Sequence, residues 1–348
     1  MHIQAIVHFQ IPVLVTVTLI VIIIPSGTIL ISTSNYFGIT TNFAYGQTNQ
    51  TSSNNANQIN IQNIPIKKVH VGDIDIAYRI FGKGDPILLI AGVGNKMDSW
   101  EPSLLKNLST NHTVIIFDNR GVGNTTTGTK PFSVQQFAND TTGLLEALKI
   151  QKADVLGHSM GSFVAQQLAV THPEKVNRLV LVAASCGGKE SIPISPQLQK
   201  IFTEMIKNAT NNLPISARTL MNLSMSESEL KSLPNLLQSI PEHLNYSQFI
   251  PIPLNSYKGY FGATLAWESP NWSGVCDKLT KVSSPTLIIT GTDDTNVPPG
   301  NSLIIASKIP GAWLVHIKDA GHAVTSEYPD KFNKVLQTFL STTTTNPG

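Results

Sequence analysis

The stretch Ala153-Asp154-Val155-Leu156-Gly157-His158-Ser159-Met160-Gly161-Ser162 decides the fold. It runs as an apolar strand, a Gly-x-Ser-x-Gly turn and the start of a helix. The glycines provide space. A serine on a sharp strand-to-helix turn is strained, and side chains two positions either way would collide with neighbouring backbone. That turn lifts the Ser159 hydroxyl above a sheet, and the helix N-terminus offers a backbone N–H to a developing oxyanion.

A nucleophilic serine needs a base, and the base needs an orienting carboxylate. Downstream, an apolar strand over 286–290 ends in Gly291-Thr292-Asp293-Asp294, followed by Val297-Pro298. A second strand, 313–317, leads into Asp319-Ala320-Gly321-His322. Acid and histidine thus follow the C-terminal ends of strands, where open α/β sheets place their sites. Two other histidines carry less. His158 adjoins the serine and points away from it, and His316 falls within a strand pattern.

Around these segments the pattern is α/β. Residues 67–71 and 74–81 alternate like a hairpin turning at Gly72. Apolar runs at 87–91, 113–117, 153–156, 179–183, 286–290 and 313–317 suit strands buried on both faces of a parallel sheet. Helical stretches at 133–148, 161–172 and 328–340 fall between them, giving one doubly wound, mostly parallel sheet. The rhythm breaks between about 187 and 281, where amphipathic pieces such as 198–206 and 230–237 replace strands. An insertion of that length is too long for a loop and predicts a helical lid placed before the acid-bearing strand.

The chain resembles the α/β-hydrolase fold, within the cofactor-free serine esterases and their perhydrolase-like relatives. The resemblance spans about 67–340 and rests on 88–100 (LLIAGVGNKMDSW), 117–125 (FDNRGVGNT), the turn at Ser159, 291–298 and Gly321-His322. It implies Ser159 as nucleophile and His322 as general base and acid. It also implies Asp294, three residues after Gly291, as the orienting acid, with Asp293 the second candidate. Backbone amides of Val93 and Met160 would form the oxyanion hole, with no metal and no organic cofactor. Asp118 and Arg120 resemble the family's structural turn. Many relatives have His-Gly where this chain has Ala91-Gly92, so the glycine beside the substrate is kept and the histidine is not. Trp100, Met221, Leu223, Met225, Phe249 and Tyr257 are candidates for an acyl pocket, though core packing explains them nearly as well. An apolar lid suggests a small, apolar acyl or alcohol part.

The front of the chain differs in kind. Its first 66 residues hold no Lys, Arg, Asp or Glu, and residues 11–24 (IPVLVTVTLIVIII) are almost unbroken aliphatic. Such a run favours entry into a membrane. Residues 1–46 therefore read either as a signal cleaved near Ala44-Tyr45-Gly46 or as a retained N-terminal anchor, and both place the rest outside the cytoplasm. Residues 47–64, rich in Asn, Gln, Ser and Thr, read as a flexible linker, and 65–342 as the hydrolase domain.

Composition narrows the function. The 348 residues are 41% hydrophobic and 13% charged, with a net charge of +2. That balance fits neither a disordered chain nor a nucleic-acid binder. Two cysteines, Cys186 and Cys276, make neither a disulfide framework nor a cysteine-based zinc site, and whether they meet is open. The expectation is an exported or membrane-tethered serine hydrolase taking a small ester-like substrate, an ester or lactone. Perhydrolase, amidase or carbon–carbon hydrolase activity on the same triad stays open. So does a surface protein that binds a ligand without turnover.

Overall fold

The computed structural model describes residues 6–11, 15–23, 29–33, 61–196, 199–200, 202–204, 207 and 253–342. The chain divides into two units, Met1–Ala56 and Asn57–Gly348.

In the first unit, β1 (Ile6–Ile11), β2 (Val15–Ile23) and β3 (Ile29–Thr33) form an antiparallel sheet in that order. Ile11 pairs with Val15, and Ile23 with Ile29. Val, Ile and Thr dominate β2, and their branched Cβ suits extended backbone. Within the aliphatic run, Ile11 and Val15–Ile23 are thus extended rather than helical. No helix among the described residues is long and apolar enough to cross a membrane. Ala44-Tyr45-Gly46 and most of the 47–64 linker lie outside the described residues.

In the second unit, β4 (Lys67–Val71) and β5 (Ile74–Gly82) form the expected hairpin, with Val71 opposite Ile74. They join β6 (Asp85–Ile90), β7 (His112–Phe117), β8 (Ala153–His158), β9 (Val176–Val182), β10 (Thr286–Gly291) and β11 (Trp313–Ile317). The eight strands run in the order β11-β10-β9-β8-β6-β7-β5-β4. β6 to β11 pair in parallel, and β4 and β5 pair antiparallel at one edge.

Consecutive residues of the central strands face opposite layers. Leu88, Ile115, Val155, Leu181 and Ile288 meet Phe137 and Leu144 of α2 (Val134–Ala147) and Phe163 and Leu168 of α3 (Met160–Thr171). Their neighbours Leu89, Ile116, Leu156, Val180 and Ile289 meet Leu104 and Leu108 of α1 (Pro102–Ser109) and Phe332 and Phe339 of a C-terminal helix, Pro329–Thr342. Burying each such side chain contributes about 1.5–3 kcal/mol, so both faces are fixed by packing. This is the doubly wound, mostly parallel α/β architecture that the apolar runs imply.

Between β9 and β10 no described residue is in a strand. The described pieces include 3-10 turns at Gly188–Glu190 and Cys276–Lys281 and the helix α4 (Leu254–Glu268). Met221, Leu223, Met225, Phe249 and the stretch 230–237 lie outside the described residues, and 198–206 is described only in part. Tyr257 has its backbone in α4, but its side chain lies outside the described residues. Cys186 and Cys276, 90 positions apart with Cα atoms 5.1 Å from each other, form a disulfide that joins the two ends of this insertion.

Candidate active site

Ser159 follows β8 directly and precedes α3, with φ +56° and ψ −124°. A non-glycine residue in that region is strained, so it persists only where its surroundings dictate it. Here they do. The Ser159 N–H donates to Val182 O of β9 at 2.9 Å, and Ser159 O accepts from Ser162 N at 2.8 Å. A Cβ at Gly161 would run into the Ile90 carbonyl, and one at Gly157 into the Gly161 carbonyl. The two flanking glycines are therefore required by close backbone approach, as the motif predicts.

His322 lies five residues beyond β11. Its Nε2 is 2.9 Å from Ser159 Oγ, and its Nδ1 is 2.9 Å and 3.1 Å from the two carboxyl oxygens of Asp294. An ionised carboxylate only accepts, so Nδ1 carries the proton and Nε2 presents its lone pair to the serine hydroxyl. Asp294 is 3% exposed, and its Oδ1 also accepts from the amides of Asn296 and Val297, both at 2.9 Å. Its neighbour Asp293 is exposed and meets Thr292 Oγ1 instead. Between the two candidate acids, geometry selects Asp294.

The oxyanion candidates flank the same serine. Met160 is fully buried and is the first residue of α3, so its N–H has no acceptor within the helix. Across the elbow, a Cβ at Gly92 would come within 3.3 Å of Ser159 Cβ and 3.4 Å of His158 O. The chain entering Val93 thus passes alongside the serine, and Ala91 in place of histidine leaves that approach intact. Asn119 Nδ2 donates to Ala91 O at 3.3 Å, and Asp118 accepts from Met97 N at 2.8 Å, bracing this loop from below. Burial raises the Asp118 pKa. Arg120 is bidentate to both Asp73 and Asp140, and Tyr260 donates to its carbonyl at 2.8 Å. Through these bonds Asp118 and Arg120 tie the turn after β7 to neighbouring segments.

Other candidates fall elsewhere. Trp100 is 7% exposed within the core on the α1 side of the sheet, so packing accounts for it. His316 is exposed on β11. Among the described residues, no three His, Cys, Asp or Glu side chains converge as a metal site requires.

Two contacts were not legible in the sequence. Glu327, at the end of the short helix Val324–Glu327, accepts from the Gly321 N–H at 3.0 and 3.1 Å and pins the residue before the histidine. The only available signal was an acid one turn beyond His322, which no periodicity marks. His158, part-buried, places Nε2 2.9 Å from the His322 carbonyl oxygen. Burial, reinforced by nearby His322, lowers its pKa to about 4. It is neutral at physiological pH, so Nε2–H donates.

Residues 85–327 match a family model described as alpha/beta hydrolase fold. "Putative non-heme bromoperoxidase BpoC" of Mycobacterium tuberculosis is 30% identical over 273 residues, covering 77% of this chain and 98% of that protein. "Putative carbamate hydrolase RutD" of Azorhizobium caulinodans is 26% identical over 279 residues, covering 78% of this chain and 96% of that protein. The crystal structure of a hydrolase from Pseudomonas aeruginosa matches with a TM-score of 0.66 at 24% identity, over 81% of this chain and 99% of that one. The last is a likeness of fold.

Proposed function

Because the chain belongs to the alpha/beta hydrolase fold family, we propose that it is a serine hydrolase, exported or membrane-tethered, that cleaves a carboxylic ester or lactone through an acyl-enzyme. One observation carries the reading: Ser159, His322 and Asp294 stand in a continuous relay, with 2.9 Å at each step. Ser159 Oγ attacks the carbonyl carbon while His322 Nε2 takes its proton. The amides of Met160 and Val93 receive the oxyanion, each such donor contributing on the order of a hundredfold to a thousandfold. The leaving alkoxide takes the proton from His322. Water, deprotonated by the same nitrogen, then releases the acid.

Two features support a location outside the cytoplasm. The first 66 residues carry no Lys, Arg, Asp or Glu. The disulfide is of a kind that persists in oxidising compartments.

The relatives' names favour a second reading of the same chemistry. A carbamate carbonyl is flanked by oxygen and nitrogen and would meet the same serine, and an acyl-enzyme opened by hydrogen peroxide instead of water would give a peracid. The test is hydrolysis of short and medium p-nitrophenyl esters by the full chain beside Ser159→Ala, with carbamate and peroxide arms. Ester turnover should fall on the order of a millionfold in the variant. A folded wild type that neither turns over any substrate nor takes up a fluorophosphonate at Ser159 would leave a binding protein in its place.

A further inference from the structure

We propose that His158 is a positioning residue that holds His322 in register with the serine after acylation, and so sustains release of the acyl group. The proposal rests on the serine-hydrolase reading above. The elbow stands at the end of β8, whereas the acid and the histidine follow β10 and β11, and β9 lies between. Asp294 and Glu327 fasten His322 and Gly321 to their own side of that gap. Among the described residues, two side-chain hydrogen bonds cross it. One joins Ser159 Oγ to His322 Nε2, and the other joins His158 Nε2–H to the His322 carbonyl, both at 2.9 Å.

The two bonds meet different fates in turnover. Once Oγ is esterified it has no proton to donate, and the first bond is lost at the moment His322 must turn to water. The second involves neither the reacting oxygen nor the imidazole, so it persists through both half-reactions. His158 also suits the task chemically. A carbonyl accepts only, so a neutral imidazole donating through Nε2 satisfies it. The two rings are 5.2 Å apart. Low His158 basicity therefore keeps a second cation away from His322 when that ring takes up its proton.

Stopped-flow hydrolysis of p-nitrophenyl acetate by the full chain separates the steps. The comparison is wild type with His158→Leu, which lacks a donor, and His158→Gln, whose amide can replace it. In His158→Leu the initial burst should keep its rate within a few fold. Its steady-state rate should fall on the order of tenfold to a hundredfold, the scale of a misplacement of ~1 Å. KM should fall together with kcat, and His158→Gln should recover most of the loss. Equal slowing of both phases, or no recovery in His158→Gln, would overturn the proposal. If His158→Leu does not fold by circular dichroism, His158→Phe fills the ring's place without a donor and is read the same way. A wild type that gives neither product nor fluorophosphonate labelling would instead sink the serine-hydrolase reading itself.

Discussion

Asp294 and Glu268 are both buried carboxyls, 3% and 8% exposed. Asp294 accepts two backbone N–H groups and the His322 ring. Among the described residues, Glu268, at the end of α4, accepts only the hydroxyls of Ser185 and Ser191, at 3.1 and 3.3 Å. Burial pushes its pKa up to about 7. Burial alone therefore does not decide what an acid does. Fixed amide donors make a carboxylate that can face an imidazole. Two serine hydroxyls leave a group close to neutrality, linking the two arms of the insertion beside the Cys186–Cys276 bond.

The largest test of this contrast is Asp294→Asn. Its amide keeps the shape but favours the wrong His322 tautomer, so kcat should drop on the order of ten-thousandfold while the thermal midpoint moves little. Breaking the other region should do the reverse. Replacing both Cys186 and Cys276 by Ala opens a long loop and should lower unfolding free energy by about 3–4 kcal/mol in urea titrations, with the triad chemistry retained. A Cys186→Ala, Cys276→Ala protein as stable as wild type would show that packing alone closes the insertion.

The smallest expected effect lies in pH. Glu268 has a folded pKa raised above its unfolded value, so the stability tied to its neutral form is fully present below about 4.5 and is lost as pH rises through about 7. Wild type should be more stable at pH 5 than at pH 8 by up to about 3 kcal/mol from this group. Glu268→Gln should flatten that slope and gain most at pH 8. A slope unchanged in Glu268→Gln would assign it elsewhere.

Much of the site was readable because its signals are local. The elbow needs glycines two positions either side of Ser159, and those positions record backbone collisions within one strand-to-helix turn. The six parallel strands announced themselves as consecutive apolar pairs, such as Leu88 with Leu89, because both faces are covered. What stayed hidden depends on distant segments meeting. Nothing near Cys186 says that Cys276 returns to it after 90 positions. His158 looked like a bystander because its partner is a backbone carbonyl 164 positions away. The local conformation of the run at 11–24 was hidden for another reason. An unbroken apolar stretch has no period to separate helix from strand, and its β-branched residues favour the extended form found in β2.

The disulfide also changes what cutting the chain would mean. A peptide bond broken anywhere from Gly187 to Val275 leaves the two fragments joined through Cys186 and Cys276. Proteolysis within the insertion then yields one nicked molecule, with β9 and β10 still paired in the same sheet. The sheet and the insertion are in this sense a frame and an exchangeable cassette. Replacing the segment between the two cysteines would leave the strands that position Ser159, Asp294 and His322 at their present spacing.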